Sequence, residues 1–224
     1  MILVSLLFFL GCTAAAQATD IDPVPRLTSR SGTYSGNGCP QGSVATSIST
    51  SNSTTGTYQL LISLDRAIPS IGPGSIPSDK SKLCSLKIDL GLPAGWRARL
   101  GDGGLDFRGW FYLPDNKTTG TMSAQYCFAT NDNDVTKFTN SSPRNQSSFI
   151  FSIVGPLVGS FVNHTESSSG AHSGPCGNGT LNVVKRISAT SRSASSGSDG
   201  YVGPDPDPSE QVWTFVSRMQ VLKC

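Results

Sequence analysis

Leu86-Lys87-Ile88-Asp89-Leu90-Gly91-Leu92-Pro93-Ala94-Gly95-Trp96-Arg97-Ala98-Arg99-Leu100 decides how this chain is read. Leu86, Ile88 and Leu90 alternate with Lys87 and Asp89, and Trp96, Ala98 and Leu100 alternate with Arg97 and Arg99. Each run therefore has one dry face and one wet face. A period of two belongs to a half-buried β-strand, because successive side chains of a strand point to opposite sides. Pro93-Ala94-Gly95 reads as a turn, and Gly101-Asp102-Gly103-Gly104 as another. The two runs are expected to form a hairpin.

The same period continues on both sides. Upstream, Tyr58, Leu60, Ile62 and Leu64 share a face, and Pro69, Gly72, Pro73, Gly74 and Pro77 end that strand. Ser78-Asp79-Lys80-Ser81 is long enough for one helical turn with Ser78 as its cap. Downstream, Leu105, Phe107, Phe111 and Leu113 share a face across Gly109, while Asp106, Arg108, Trp110 and Tyr112 share the other. Met122, Ala124, Tyr126 and Phe128 make a further apolar face, with Cys127 pointing away from it. Phe149, Phe151 and Ile153 mark another strand, Leu157 to Val162 a short one, and Leu181 to Ile187 another. The last strand carries Trp213, Phe215, Met219 and Val221. No long run has a helical period. Short strands separated by Gly, Pro and Ser predict an all-β fold: a single-domain antiparallel β-sandwich, or a flattened barrel, with long polar loops.

The domain is expected over residues 36–224. Gly36-Asn37-Gly38-Cys39-Pro40-Gln41-Gly42-Ser43 is the tight turn by which the chain joins it, and residues 19–35 are an extended lead-in. Residues 163–174 read as a Ser-rich exposed loop, and the Ser, Gly, Asp and Pro run at about 189–209 as a mobile one.

Residues 1–18 pair an apolar core, Ile2 to Leu10, with the small residues Ala14, Ala16 and Ala18, and read as a secretory signal peptide. No Lys or Arg precedes that core, and Leu10-Gly11-Cys12 admits a second reading, lipidation at Cys12. The run is too short to span a bilayer, which takes roughly 20 apolar residues. No later apolar span or tail predicts a transmembrane or GPI anchor. Lys+Arg 17 against Asp+Glu 15, with no basic run, argues against nucleic acid and anionic membranes as partners. Cys39, Cys84, Cys127, Cys176 and Cys224 follow the leader with wide spacing and no CxxC pair. In an exported chain that predicts disulfides with one thiol over, and no structural zinc.

These motifs come in a recognisable order. Gly38-Cys39-Pro40-Gln41-Gly42-Ser43-Val44 is followed by Pro77-Ser78-Asp79 leading to Cys84, then Pro93-Ala94-Gly95-Trp96 and Asp106-Phe107-Arg108-Gly109-Trp110. Gly155-Pro156, Pro175-Cys176-Gly177 and a terminal Lys223-Cys224 complete the set. It resembles the DUF4360 family of small secreted fungal and bacterial proteins, across nearly the whole chain after the leader. The resemblance implies a secreted, β-rich protein with no assigned activity. It also implies disulfides among Cys39, Cys84, Cys176 and Cys224, paired by motif order as Cys39–Cys84 and Cys176–Cys224, and leaves Cys127 as the odd thiol. The sequence alone leaves all three pairings of four cysteines open. The family's Trp before the last Cys is replaced here by Val221-Leu222-Lys223.

Catalytic chemistry is sparse. His164 and His172 both fall in the Ser-rich loop, where a triad histidine would lack a rigid frame, and no G-x-S-x-G elbow exists. Asp102 and Asp106 could be posed as a glycosidase pair, though turn chemistry and pairing with Arg99 or Arg108 explain them as well. Asp205, Asp207 and Glu210 lack the spacing of a calcium loop. No cofactor is expected. Trp110 and Tyr112 could form a sugar-stacking platform, with Trp96 as a further candidate, but burial of both faces of a central strand is favoured. Sequons at Asn52, Asn116, Asn140, Asn145, Asn163 and Asn178 all fall in segments read as loops, as a glycosylated exported protein would have them. The favoured reading is a non-catalytic extracellular protein acting at the cell wall or on a host or substrate surface. The alternatives are a carbohydrate-binding module and, third, a glycoside hydrolase.

Overall fold

In the computed structural model, which describes residues 23–129, 146–192, 200–203 and 212–224, the chain passes repeatedly between two antiparallel sheets. The strands are β1 (Thr28–Ser35), β2 (Val44–Asn52), β3 (Thr57–Leu64), β4 (Ser70–Ile71), β5 (Ser81–Gly91), β6 (Trp96–Leu113) and β7 (Thr118–Ala129). They continue as β8 (Gln146–Val154), β9 (Leu157–Thr165), β10 (His172–Ser173), β11 (Gly179–Ser191), β12 (Gly200–Gly203) and β13 (Trp213–Lys223). One sheet is five-stranded, in the order β1-β5-β11-β7-β8. The other is eight-stranded, in the order β2-β3-β13-β6-β12-β4, with β9 and β10 on the second edge of β6. This is a sandwich and not a closed barrel. The signal-peptide segment, Asn140, Asn145, Asp205, Asp207, Glu210 and most of the 189–209 loop lie outside the described residues.

The dry faces read from the sequence meet between the sheets. Leu60, Ile62, Leu64, Leu105, Phe107, Phe111, Leu113, Met122, Ala124, Phe149 and Phe215 are all 0% exposed. Trp213 sits among Phe111, Phe161 and Phe215, and its indole Nε1–H donates to the Ala67 carbonyl at 3.0 Å. Gly109 makes room for it: a Cβ there would lie 2.0 Å from Trp213 Cζ3.

Four local expectations are corrected. First, β5 and β6 do not form a hairpin. β5 pairs with β1 and β11 in one sheet, β6 with β13 and β9 in the other, so Pro93-Ala94-Gly95 carries the chain across the sandwich. Second, Gly101–Gly104 is not a reversal but an interruption inside β6. Leu100 pairs with Met219 and Leu105 with Ser217, so four residues of β6 face the single Arg218 of β13. Gly101 and Gly104 take positive φ of 111° and 68° there. Third, the fold takes up the chain well before Gly36: Leu27 is in the core, the Pro25 carbonyl accepts from Tyr58 Oη at 3.0 Å, and β1 follows. β1 is nearly all exposed Ser, Thr and Gly, so it carries no apolar period and is held by backbone pairing to β5. Fourth, the helical turn α1 (Pro77–Lys80) is capped at Ile76, not Ser78, with Pro77 in its first turn and Asp79 accepting from the Ile76 N–H at 3.3 Å.

Two disulfides staple the sandwich. Cys39–Cys84 fastens the β1–β2 crossing to β5, and Cys176–Cys224 ties the end of β13 to the segment before β11. The Gly36–Ser43 turn docks on β5 as well: Leu83 N–H donates to Asn37 Oδ1 at 2.7 Å and Gly38 N–H to the Leu83 carbonyl at 2.9 Å. Among the described residues no helix is long and apolar enough to cross a membrane.

Candidate functional site on the outer face of the eight-stranded sheet

The interruption in β6 decides which side chains meet solvent. Before it, Ala98 and Leu100 are buried; after it, Leu105, Phe107, Phe111 and Leu113 are. The inward positions change from even to odd numbers. Trp96 and Trp110 therefore fall on opposite faces. Trp96 packs against the core, with Lys223 Nζ 5.7 Å from its ring centroid, and is no part of a surface with Trp110.

Trp110 and Tyr112 are not core residues: they are half-buried on the outer face, two residues apart on β6. Their ring centroids are 6.4 Å apart and their planes lie within 10° of each other. On β9 the register sets Val158 beside Tyr112, Ser160 beside Trp110 and Val162 beside Arg108. Val158 and Val162 are 63% and 69% exposed. On the opposite edge Gly203 of β12 is Trp110's partner. The rings thus stand in a strip of short side chains, Val158, Ser160 and Gly203, with the exposed Arg108 next along β6 on the same face.

A charged group closes one end of the strip. Asp106 faces His164 across the β6–β9 pair, with His164 Nδ1 2.6 Å from Asp106 Oδ1 and Nε2 3.0 Å from Glu166 Oε1. The Asp106 hydrogen bond, then the Glu166 one, raise the His164 pKa above its ordinary value. His164 and His172 belong to β9 and β10, not to a loop. Asp102, in the interruption, is gripped by Arg99 through Nε at 2.9 Å and Nη2 at 3.0 Å. Asp102 and Asp106 thus face different cations.

The remaining sequence-level residues are spread over the surface. Asn52, Asn116 and Asn178 are exposed. Asn163 lies on β9 rather than in a loop and is half-buried, its Nδ2 donating to Thr165 Oγ1 at 2.8 Å. Cys127 joins neither disulfide and is half-buried on the outer side of β7.

Sequence reasoning passed over Lys185. Leu181, Val183, Ile187 and Ala189 alternate toward the core, and Lys185 occupies an inward slot in that series, a signal visible in the sequence. It is fully buried. Its Nζ hydrogen-bonds Tyr126 Oη and lies 3.9 Å from the Phe215 ring centroid, while Ser217 Oγ donates to the same Tyr126 oxygen at 2.6 Å. Burial pushes the Lys185 pKa well down and the Tyr126 pKa up. Below about pH 10.4 the unfolded lysine holds its proton more firmly than the folded one, so stability rises with pH through that window. Tyr126 acts oppositely above about pH 10, where only the unfolded phenol ionises. Lys185→Met is expected to raise stability at neutral pH by about 1–4 kcal/mol, by removing a desolvated amine. It should also flatten the rise in melting temperature with pH. Thermal scans across neutral to alkaline pH check this; a lower melting temperature with the slope unchanged would refute it.

The model of the domain of unknown function DUF4360 matches residues 25–224. The chain belongs to the DUF4360 family. A curated relative, an uncharacterized secreted protein of Arthroderma benhamiae, is 29% identical to this DUF4360 chain over 166 residues. The match covers 72% of this chain and 60% of the relative's length. Among solved structures, TmCBM61 in complex with beta-1,4-galactotriose aligns over 86% of this chain and 88% of its own, at 12% identity and a TM-score of 0.23. A likeness that slight carries no argument about fold or ligand.

Proposed function

We propose that this chain is a secreted, non-catalytic protein that holds a polysaccharide against the outer face of the eight-stranded sheet, at a cell wall or on a host or substrate surface. One observation carries the reading: two near-parallel aromatic rings, Trp110 and Tyr112, half-exposed on a rigid strand with a polar group on each ring. Sugar rings present flat C–H faces, and an amphipathic ring on a preformed sheet meets them at little ordering cost. Export is supported by the leader pattern over residues 1–18, by two disulfides, by exposed sequons at Asn52, Asn116 and Asn178, and by the secreted relative. The separate engagement of Asp102 by Arg99 and Asp106 by His164 favours binding over hydrolysis.

Retention on insoluble chitin, β-glucan and cellulose tests the reading. The wild-type chain should be retained by at least one polymer. Trp110→Ala should lose at least about tenfold in affinity, the loss of roughly 1.4 kcal/mol that one stacking contact supplies. The fold should stay intact, with only a modest fall in melting temperature for a ring half-buried outside the core. No retention on any of the three polymers would sink the proposal.

A further inference from the structure

The opposite face of the sandwich carries its own depression. A cleft of about 270 Å³ opens on the five-stranded sheet, walled by Thr33 and Ser35 of β1 and by Ser85 and Lys87 of β5. Tyr34 and Leu86 lie between these walls, the Tyr34 hydroxyl fixed by the Gly42 N–H at 2.6 Å. Asn182 of β11 completes the lining. It sits on the outward alternation of its strand, between the inward Leu181 and Val183, in register with Lys87. Asn182 is nevertheless only 2% exposed, and its Oδ1 has no hydrogen-bond partner. A buried amide oxygen without a donor is a standing cost that native structures rarely leave unrelieved.

We infer that this cleft is a subsite for one neutral, hydroxyl-bearing ring, a single sugar unit, toward which the Asn182 side chain turns so that a ring O–H satisfies Oδ1, an atom closed to solvent before the ligand enters. The chemistry of the lining selects that class. The hydroxyls of Thr33, Ser35 and Ser85, each able to donate and accept, stand with the Lys87 ammonium; among the described residues no carboxylate lines the cleft, and the ammonium repels a metal cation. An anion is disfavoured as well. Asp89 stands next along β5, kept ionised by hydrogen bonds from Ser31 and Thr180, and offsets the charge of Lys87. The volume falls below the roughly 300–1,000 Å³ of pockets for drug-sized ligands, which suits one ring. The subsite lies on the other sheet from Trp110 and Tyr112 and does not depend on them.

Amide NMR of the full chain, titrated with glucose, galactose, mannose, xylose and N-acetylglucosamine into the millimolar range, tests the inference. At least one sugar should produce saturable shifts at the Asn182 side-chain amide and at the Ser85 and Lys87 amides. Asn182→Leu should weaken that binding by at least about tenfold while leaving the melting temperature equal or higher, since it removes the orphaned oxygen. Ser85→Ala, a milder change on the wall, should weaken it several-fold, and Trp110→Ala should leave it intact. The inference is overturned by an absence of saturable shifts with all five sugars, or by shifts that persist undiminished in Asn182→Leu. Shifts confined to Trp110 and Tyr112 would overturn it too, while leaving the polysaccharide proposal standing.

Discussion

Gly109→Ala is expected to cost more than about 3 kcal/mol, enough to remove most of the folded population of a domain with ordinary stability. The new methyl carbon would sit 2.0, 2.3 and 2.6 Å from three carbons of the Trp213 indole. The indole cannot step aside. It is held at one end by its hydrogen bond to Ala67 and is hemmed in by Phe111, Phe161 and Phe215. Denaturant unfolding measures the loss, and a second substitution shows its cause. In a Trp213→Leu background, itself destabilised, Gly109→Ala should cost far less, giving a strong coupling between the two sites. Equal costs in both backgrounds would mean that the clash is not the mechanism.

The second large effect is loss of the staples. Cys39–Cys84 and Cys176–Cys224 close loops of 45 and 48 residues. The chain-entropy model assigns each about 4 kcal/mol, through the freedom it removes from the unfolded chain. Replacing Cys39 and Cys84 with alanine should cost that and somewhat more, because both sulfurs are buried against the core. Replacing Cys176 and Cys224, which are exposed, should cost the chain-entropy share alone. Removing both pairs should leave little of the roughly 5–15 kcal/mol that folded domains possess. Denaturant midpoints of the two double variants and of the quadruple variant check the order. A reduced chain as stable as the oxidised one would contradict it.

The dry faces were legible because alternation is a local property of a half-buried strand. Phe107 and Phe111, Tyr126 and Phe149, Trp213 and Phe215 all lie where their parity puts them. Partnership was not legible in the same way. β5 and β6 are neighbours with a turn between them, and nothing in Leu86–Leu90 or Trp96–Leu100 distinguishes pairing in one sheet from crossing to the other. β1 was missed because an edge strand of Ser, Thr and Gly shows no period. The outer-face surface was legible only in its half on β6. Trp110 and Tyr112 share a face by parity, whereas Val158, Val162 and His164 join them through pairing about fifty residues away in sequence. Whether that face was wet depended on how many layers cover it. Asn182 was invisible for the same reason, since its neighbours Ser85, Lys87 and Thr33 come from two other strands.

The interruption at Gly101–Gly104 bears on how this chain can change length. Both halves of β6 are anchored, Trp96–Leu100 to one end of β13 and Leu105–Arg108 to the other. Because pairing with β13 fixes the faces of each half, the bulge between them absorbs the mismatch: inward positions are even before it and odd after it. A residue gained or lost between Leu100 and Leu105 should be taken up in the same bulge, with Phe107 and Phe111 still inward and Trp110 and Tyr112 still outward. The interruption thus works as a slack joint, letting the chain vary in length at this point without changing the surface it presents.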